Sequence, residues 1–337
     1  MWRRTALGLL VAVPVLAFMF FRTDGTETLD ALGEANYAWI PAAVALLIAA
    51  IWIQAVRWRF LLKPLADISP ARLYPLVFIG HLGNSILPLR GGDILRALIL
   101  HRREGVSRAA AFGTIVVEHI LDGIVLVGLL IIFIASANTG ERLWTLAIVS
   151  GVVFGAAGAV LIAAAIWQER TEQLAERAVS KLPERWAGRL HRWISSFLAG
   201  TRAFRSLEAV VVVFGTTAVF WLIVAVVYML VGEAFHLDEG FGTYLGVTAA
   251  ANLAFSVPLT QGGIGSFEFL VQQVLIFADV DDAVAAAYAL VLHALIIVSM
   301  VVAGLISLWL VGFSVREIGH EVAEGGEEME EEAGVKR

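Results

Sequence analysis

Two polar, glycine-rich breaks interrupt an otherwise oily chain, and they limit what it can fold into. The first reads Asn84-Ser85-Ile86-Leu87-Pro88-Leu89-Arg90-Gly91-Gly92-Asp93, with Arg96 one turn on. The second runs from Asn252 to Pro258-Leu259-Thr260-Gln261-Gly262-Gly263-Ile264-Gly265, with Glu268 just behind it. Each sets an Asn, a Pro-Leu and a Gly-Gly between apolar stretches too short, or too broken, to be ordinary spanning helices. Hydrocarbon offers no partner to a peptide group, so irregular backbone at that depth survives only inside protein or against a wet cavity. Paired breaks at corresponding places in two halves point to a transport site.

The rest of the chain supplies the membrane. Of 337 residues, 59% are hydrophobic and 16% charged, with a mean hydropathy of +0.81. That composition predicts an all-α polytopic membrane protein. Cysteine is absent, which removes disulfides, thiolate catalysis and cysteine metal sites. The net charge of −6 misleads, because eight of the 30 acids lie between Glu317 and Glu332. Residues 1–316 read as one transmembrane domain, and 317–337 as an acidic, solvated, disordered cytoplasmic tail.

Apolar runs predict about six full transmembrane helices, near 5–21, 38–56, 109–135, 143–167, 209–231 and 283–312. Two further apolar regions, 73–100 and 241–277, contain the breaks and read as re-entrant hairpins. Arg3 and Arg4 precede the first run, but Phe18-Met19-Phe20-Phe21-Arg22 offers no small-residue cleavage site, so a retained anchor is expected rather than a signal peptide. With the N-terminus inside, 22 of the 24 Lys and Arg fall in inner segments, Arg22 and Arg142 being the two outside. This positive-inside bias places both termini in the cytoplasm of a multi-pass cell-membrane protein. The bias holds only if 73–100 dips in from the cytoplasm and 241–277 from outside. The breaks then approach each other from opposite faces, as in an inverted repeat.

The long inner loop, 168–208, carries eight basic residues from Arg170 to Arg205, interleaved with Trp186, Leu190, Trp193 and Phe197. It reads as an amphipathic stretch on anionic lipid headgroups, or as a plain positive-inside loop. Nucleic-acid binding is not expected of it.

Pro88 should end the segment before it, and Gly91-Gly92 allows backbone geometry closed to other residues. Asp93 is then a candidate N-cap for a helix through Leu100. The free amides at that helix start, with Arg90 and Arg96 beside them, suit a phosphate. The competing reading is a cytoplasmic turn with ordinary retaining arginines. In the second break Ser266 is the candidate N-cap, and Glu268 in the first turn is either a capping residue or a substrate or proton group. Asn84, Asn252, Thr260 and Gln261 offer neutral hydrogen bonds to a substrate or to the freed backbone of the breaks.

Glu118 and Asp122 lie four residues apart on one face of a spanning helix. Buried charges need a partner, and a salt bridge to Arg90 or Arg96 is the leading reading, with proton coupling behind it. His119 is adjacent in sequence but points elsewhere. His293 reads as a buried, hydrogen-bonded histidine. Two carboxylates without a histidine set do not specify a metal, and no cofactor is expected. Neither a Walker loop nor a nucleophile elbow is present, so the chain does not read as an enzyme.

At these residues the chain resembles the lysylphosphatidylglycerol synthase transmembrane family, the flippase-like domain family. The resemblance rests on Leu87-Pro88-Leu89-Arg90-Gly91-Gly92-Asp93-Ile94-Leu95-Arg96, on Glu118-His119-Ile120-Leu121-Asp122, and on Pro258-Leu259-Thr260-Gln261-Gly262-Gly263-Ile264-Gly265 with Glu268. It runs from about residue 35 to 312. Against the family pattern, His119 stands where an arginine is expected, Gln261 where a proline is expected, and an arginine is expected near His293. Best-known members join this membrane region to an aminoacyl-transferase domain and flip aminoacylated phosphatidylglycerol. The resemblance therefore implies a stand-alone member that keeps the flipping part. Other relatives of that kind are linked with cell-envelope or glycan-lipid pathways, which adds polyprenyl-phosphate carriers to the substrate classes.

The expected function is a lipid flippase, moving a phosphate-bearing lipid through a midplane polar cavity. Arg90, Arg96 and the Gly91-Gly92 amides would hold the phosphate, while Glu118, Asp122 and Glu268 would balance charge or couple protons. The alternatives are an intramembrane enzyme using Glu118 and Asp122 as acid and base, or a scaffold for a glycosyl transferase. A homo-oligomer is left open.

Overall fold

The computed structural model describes residues 25–87, 90–136, 141–167, 170–171, 196, 198–199, 207–256 and 261–312. The expected first span at 5–21, nearly all of the 168–208 loop, Pro88, Pro258, Thr260 and the acidic tail lie outside the described residues. Ten α-helices are described: α1 (Gly25–Glu34), α2 (Ile40–Leu62), α3 (Pro70–Ile86), α4 (Gly91–Glu104), α5 (Arg108–Ser136), α6 (Glu141–Ile166), α7 (Leu207–Ala234), α8 (Phe241–Ser256), α9 (Ser266–Phe277) and α10 (Asp282–Val311). No strand occurs among the described residues. The chain is an all-α, polytopic membrane protein.

Five segments are long and apolar enough to cross a bilayer: Tyr37–Leu62, Arg108–Ala135, Trp144–Ala163, Glu208–Ala234 and Asp282–Val311. They coincide with five of the six expected spans. The helices flanking the breaks are shorter, at 17 and 14 residues for α3 and α4, and 16 and 12 for α8 and α9. A spanning helix needs about 20 residues, so each of these pairs is a hairpin that enters the bundle and turns back.

The two halves repeat one four-helix plan. In α2–α5, as in α7–α10, a long helix leads into a two-helix hairpin and a second long helix closes the unit. The packing obeys the same exchange. α2 runs along α7; the hairpin arm α3 lies on α10, and its counterpart α8 lies on α5. α2 and α7 are antiparallel. Asn36, just before α2, donates its backbone N–H to the carbonyl of Ala234 at the far end of α7 (2.7 Å), while Arg57 near the end of α2 reaches Thr217 (3.0 Å) near the start of α7. Each hairpin begins where its leading helix ends. The two mouths therefore open at opposite ends of the bundle, and the tips point inward. This is an inverted repeat in geometry as well as in charge pattern.

Lipid tails are as apolar as leucine, so burial alone does not join such helices; close van der Waals contact does. Glycines permit it at both contacts between a hairpin arm and the closing helix of the other half. A side chain on Gly304 of α10 would meet Leu82 and the backbone of Phe78 on α3, and one on Gly246 of α8 would meet the ring of Phe133 on α5. The outer surface keeps its apolar residues. Val152, Val160 and Ile162 of α6, and Val298, Val302 and Trp309 of α10, are exposed where lipid would lie.

Candidate functional site

The first break differs from the expected cap. Arg90, not Asp93, is the residue that caps α4, and it does so in the left-handed region (φ 57°). Gly91 and Gly92 are ordinary helical residues, so backbone freedom is not the reason for them. A Cβ on Gly92 would run into the carbonyl of Gly80 and the amide of Asn84, and one on Gly83 would run into the Gly92 Cα. The glycines let α3 and α4 touch. Asp93 is the third residue of α4, and its carboxylate accepts from the Asn84 side-chain amide (3.1 Å) and pairs with His119 Nε2 (2.8 Å). His119 therefore does face the site. Arg90 is a third exposed and sits 3.8 Å from Asp93 Oδ2.

Behind the tip lies a buried charge lattice. Arg96 is buried, its guanidinium carbon 3.5 Å from the Trp58 ring centroid and its Nη1 2.8 Å from Glu118 Oε2. Its Nε and Nη2 have no partner among the described residues. Thus Glu118 does pair with an arginine of the first break. Asp122 does not: its partner is Arg57 of α2, which sends Nη1 and Nη2 to the two carboxylate oxygens (2.6 and 3.2 Å). Arg57 also reaches Glu118 Oε1 through Nε (3.3 Å) and Thr217 through Nη1 (3.0 Å). Two guanidinium groups and two carboxylates cancel, as buried charges must. Sequence reasoning missed Arg57, assigning it to an inner loop because the apolar run stops at residue 56. The helix continues to Leu62 and carries Arg57 into the wall of the bundle.

Asp122 also accepts from the Trp221 indole N–H (3.0 Å), joining α7 to the lattice. Trp221→Phe removes that donor, and a hydrogen bond to a charged group contributes about 1.5–3 kcal/mol. The variant should lose that much stability and therefore unfold at lower temperature in detergent micelles. An unchanged melting curve would show that this bond contributes nothing.

The second break is built on backbone freedom. Gly262, Gly263 and Gly265 all have positive φ (63°, 74° and 89°), and Gly265, not Ser266, caps α9. Glu268 does serve as a capping residue, accepting the Gly265 N–H through Oε2 (2.7 Å). Its other oxygen meets His293 Nδ1 (2.7 Å), and His293 Nε2 lies 3.0 Å from the Gly262 carbonyl. His293 is a buried, bonded histidine, as expected. Asn252 donates to the Tyr228 hydroxyl (3.1 Å) and to the Thr248 carbonyl (2.8 Å). Gln261 opens a short 3-10 turn over Gln261–Gly263.

The tips meet. That 3-10 turn packs on α3, and a Cβ on Gly262 would stand 3.6 Å from the Ser85 carbonyl oxygen. The repeat extends to chemistry. Asp93 is the third residue of α4 and Glu268 the third of α9; their partners His119 and His293 are the twelfth residues of α5 and α10. The two asparagines, by contrast, do not correspond. Asn84 is the fifteenth residue of α3 and Asn252 the twelfth of α8, where α3 has His81. The charges of the lattice all come from one half, although Thr217 and Trp221 of α7 bond to them. The residues of α9 and α10 matching Arg96, Glu118 and Asp122 are Val271, Leu292 and Ile296. Among the described residues no group of three or more His, Cys, Asp or Glu could hold a metal ion.

Residues 5–304 match the family model described as the lysylphosphatidylglycerol synthase TM region. The chain belongs to that family. Similar proteins include the glycosyltransferase AglD of Haloferax volcanii, 27% identical over 94% of this chain and 56% of its own length. They also include two UPF0104 membrane proteins of Methanothermobacter thermautotrophicus. One is 25% identical over 92% of this chain and 93% of its own length, the other 24% identical over 75% and 78%. This chain thus spans little more than half of the glycosyltransferase that it matches. No solved structure matches it. Membership in the lysylphosphatidylglycerol synthase transmembrane family places the paired hairpins and the half-sided charge lattice inside a multi-pass membrane protein.

Proposed function

We propose that this protein moves a phosphate-bearing lipid between leaflets of the cell membrane. The candidate lipids are a phospholipid, an aminoacyl-phospholipid and a polyprenyl-phosphate-linked glycan. The observation that carries the reading is the contact of two oppositely entering hairpin tips, Ser85 against Gly262, beside buried charge. Irregular backbone at that depth is the mark of transporter sites formed at a repeat interface.

In this reading the headgroup enters between the tips while the acyl chains stay in the bilayer. Arg90, the partly exposed cation at the first tip, meets the phosphate together with the amides that open α4. The unpartnered Nε and Nη2 of Arg96 add donors behind it. Glu118 and Asp122 keep the arginines from closing the site with an excess of positive charge. The protein acts as a carrier and catalyses no covalent step. The match to a glycosyltransferase favours a polyprenyl-phosphate glycan among the lipids, and a role beside a glycosyl transferase as the second reading.

The test is flipping of labelled lipids in vesicles reconstituted with the purified chain. Phosphatidylglycerol and polyprenyl phosphate are compared, and at least one should cross faster than in protein-free vesicles. Arg90→Gln should slow that lipid roughly 10- to 100-fold, the loss of one charge-assisted hydrogen bond to phosphate. Rates equal to protein-free vesicles for every lipid would overturn the proposal.

A further inference from the structure

Both ring nitrogens of His293 face oxygen. Nε2 lies 3.0 Å from the Gly262 carbonyl and Nδ1 lies 2.7 Å from Glu268 Oε1. A carbonyl only accepts, so Nε2 carries hydrogen. A neutral imidazole then presents a bare lone pair at Nδ1, and a carboxylate oxygen would meet it lone pair to lone pair. The contact is bonding only when one further proton is present, on Nδ1 or on the Glu268 carboxyl. The remaining Glu268 oxygen accepts the Gly265 N–H. One proton thereby ties Gly262, Gly265, α9 and α10 into a closed tip.

We propose that Glu268 and His293 form a proton-binding site that latches the tip of the second hairpin. In the transport reading, on which this last step rests, it is the coupling proton; the latch itself stands on the geometry alone.

The other repeat lacks this requirement. Among the described residues His119 meets oxygen through Nε2 alone, on Asp93, which a neutral imidazole satisfies. The surroundings of the second pair are apolar or already engaged. The Phe267 ring stacks on His293 at 4.4 Å and presents its face, a surface that favours a cationic ring, while Phe255 of α8 packs at a steep angle to His293 at 5.8 Å. The titratable groups turned inward from the packed elements are bonded elsewhere: His81 of α3 to Gln54, Tyr228 of α7 to Asn252, and Tyr288 of α10 to the Tyr228 carbonyl. Tyr244 of α8 packs against Gly232. The acids of α1, namely Glu27, Asp30 and Glu34, and Asp282 at the start of α10, lie on the outside.

Polar side chains also line one face of α8. Tyr244, Thr248 and Asn252 lie one turn apart there, and the Tyr244 and Thr248 hydroxyls are buried without a partner among the described residues.

The latched state binds one proton more than the open state, so it is favoured at low pH and lost as pH rises. Amide hydrogen exchange of residues 261–268 in lipid nanodiscs reads this directly. After correction for intrinsic rates, exchange in the wild type should climb about tenfold per pH unit above a midpoint, the slope of a single proton. Glu268→Gln supplies a permanent hydrogen to Nδ1 while its carbonyl still accepts from Gly265. It should keep the tip protected and pH-independent. His293→Leu should leave the tip open at every pH. Corrected wild-type exchange that stays flat with pH, or a Glu268→Gln protein with the wild-type pH dependence, would overturn the latch. The measurement involves no lipid movement, so a titrating tip in a chain that flips nothing would refute the transport reading and leave the latch standing.

Discussion

Arg57→Met is expected to destabilise the protein by about 3–5 kcal/mol, the cost of leaving a buried charge without its partner. The stranded group is Asp122, because Glu118 retains Arg96 at 2.8 Å while Asp122 loses both guanidinium bonds. Unfolding in mixed detergent micelles measures the loss. A second substitution distinguishes charge imbalance from lost packing. Arg57→Met combined with Asp122→Leu removes both members, and replacing a whole buried pair by apolar groups is often neutral or stabilising. The double variant should therefore recover most of the stability that the single one loses. If it is no more stable than Arg57→Met alone, the lattice does not depend on charge balance. Recovery of stability without recovery of lipid flipping would assign the pair to transport as well as to folding.

Gly92→Ala should be the most damaging of the small substitutions. The added Cβ meets two backbone atoms, the Gly80 carbonyl oxygen and the Asn84 amide nitrogen, and neither can rotate away. Overpacking of this kind costs about 1–3 kcal/mol, against a gain of about 1 kcal/mol from replacing a helical glycine. The first hairpin should part at its tip, with loss of the Asn84–Asp93 bond that spans it. Gly128→Ala is the control. It lies within α5 with open space around its Cα, and should stabilise by about 0.5–1 kcal/mol through helix propensity alone. Opposite signs for the two changes in thermal unfolding are the expected result. Equal effects would mean that the close approach of α3 and α4 carries no weight.

The spans were readable because hydropathy is a local property, and helices set by a run of apolar residues need no knowledge of their neighbours. The hairpins were readable for the same reason, since Pro88 with Gly91-Gly92, and Gly262-Gly263 with Gly265, stop an apolar run before it is long enough to cross. The antiparallel halves followed from where the arginines fall. Pairings were less accessible. Glu118 could be matched to Arg96, but Asp122 could not be matched to Arg57 while that residue was counted in a loop. The expected caps at Asp93 and Ser266 were each displaced toward the break, to Arg90 and Gly265. Asp93 is taken by His119 from another helix, and Gly265 reaches an unusual φ that serine would resist. A signal for the paired acid–histidine sites did exist. It lay in the matching register of Asp93 with His119 and of Glu268 with His293, visible only once the helix boundaries were known.

By itself the sequence determined that this chain crosses a membrane several times, that it breaks twice in corresponding places, and that its halves run in opposite senses. Those properties follow from hydropathy, from backbone restrictions at Pro and Gly, and from the uneven distribution of Arg and Lys. Only the tertiary structure decided which buried charge answers which, that the charges of the lattice all come from one half, and that the tips meet at Ser85 and Gly262. A charge in a low-dielectric interior is governed by the groups within a few ångströms of it. In this fold those groups come from helices far apart in the chain.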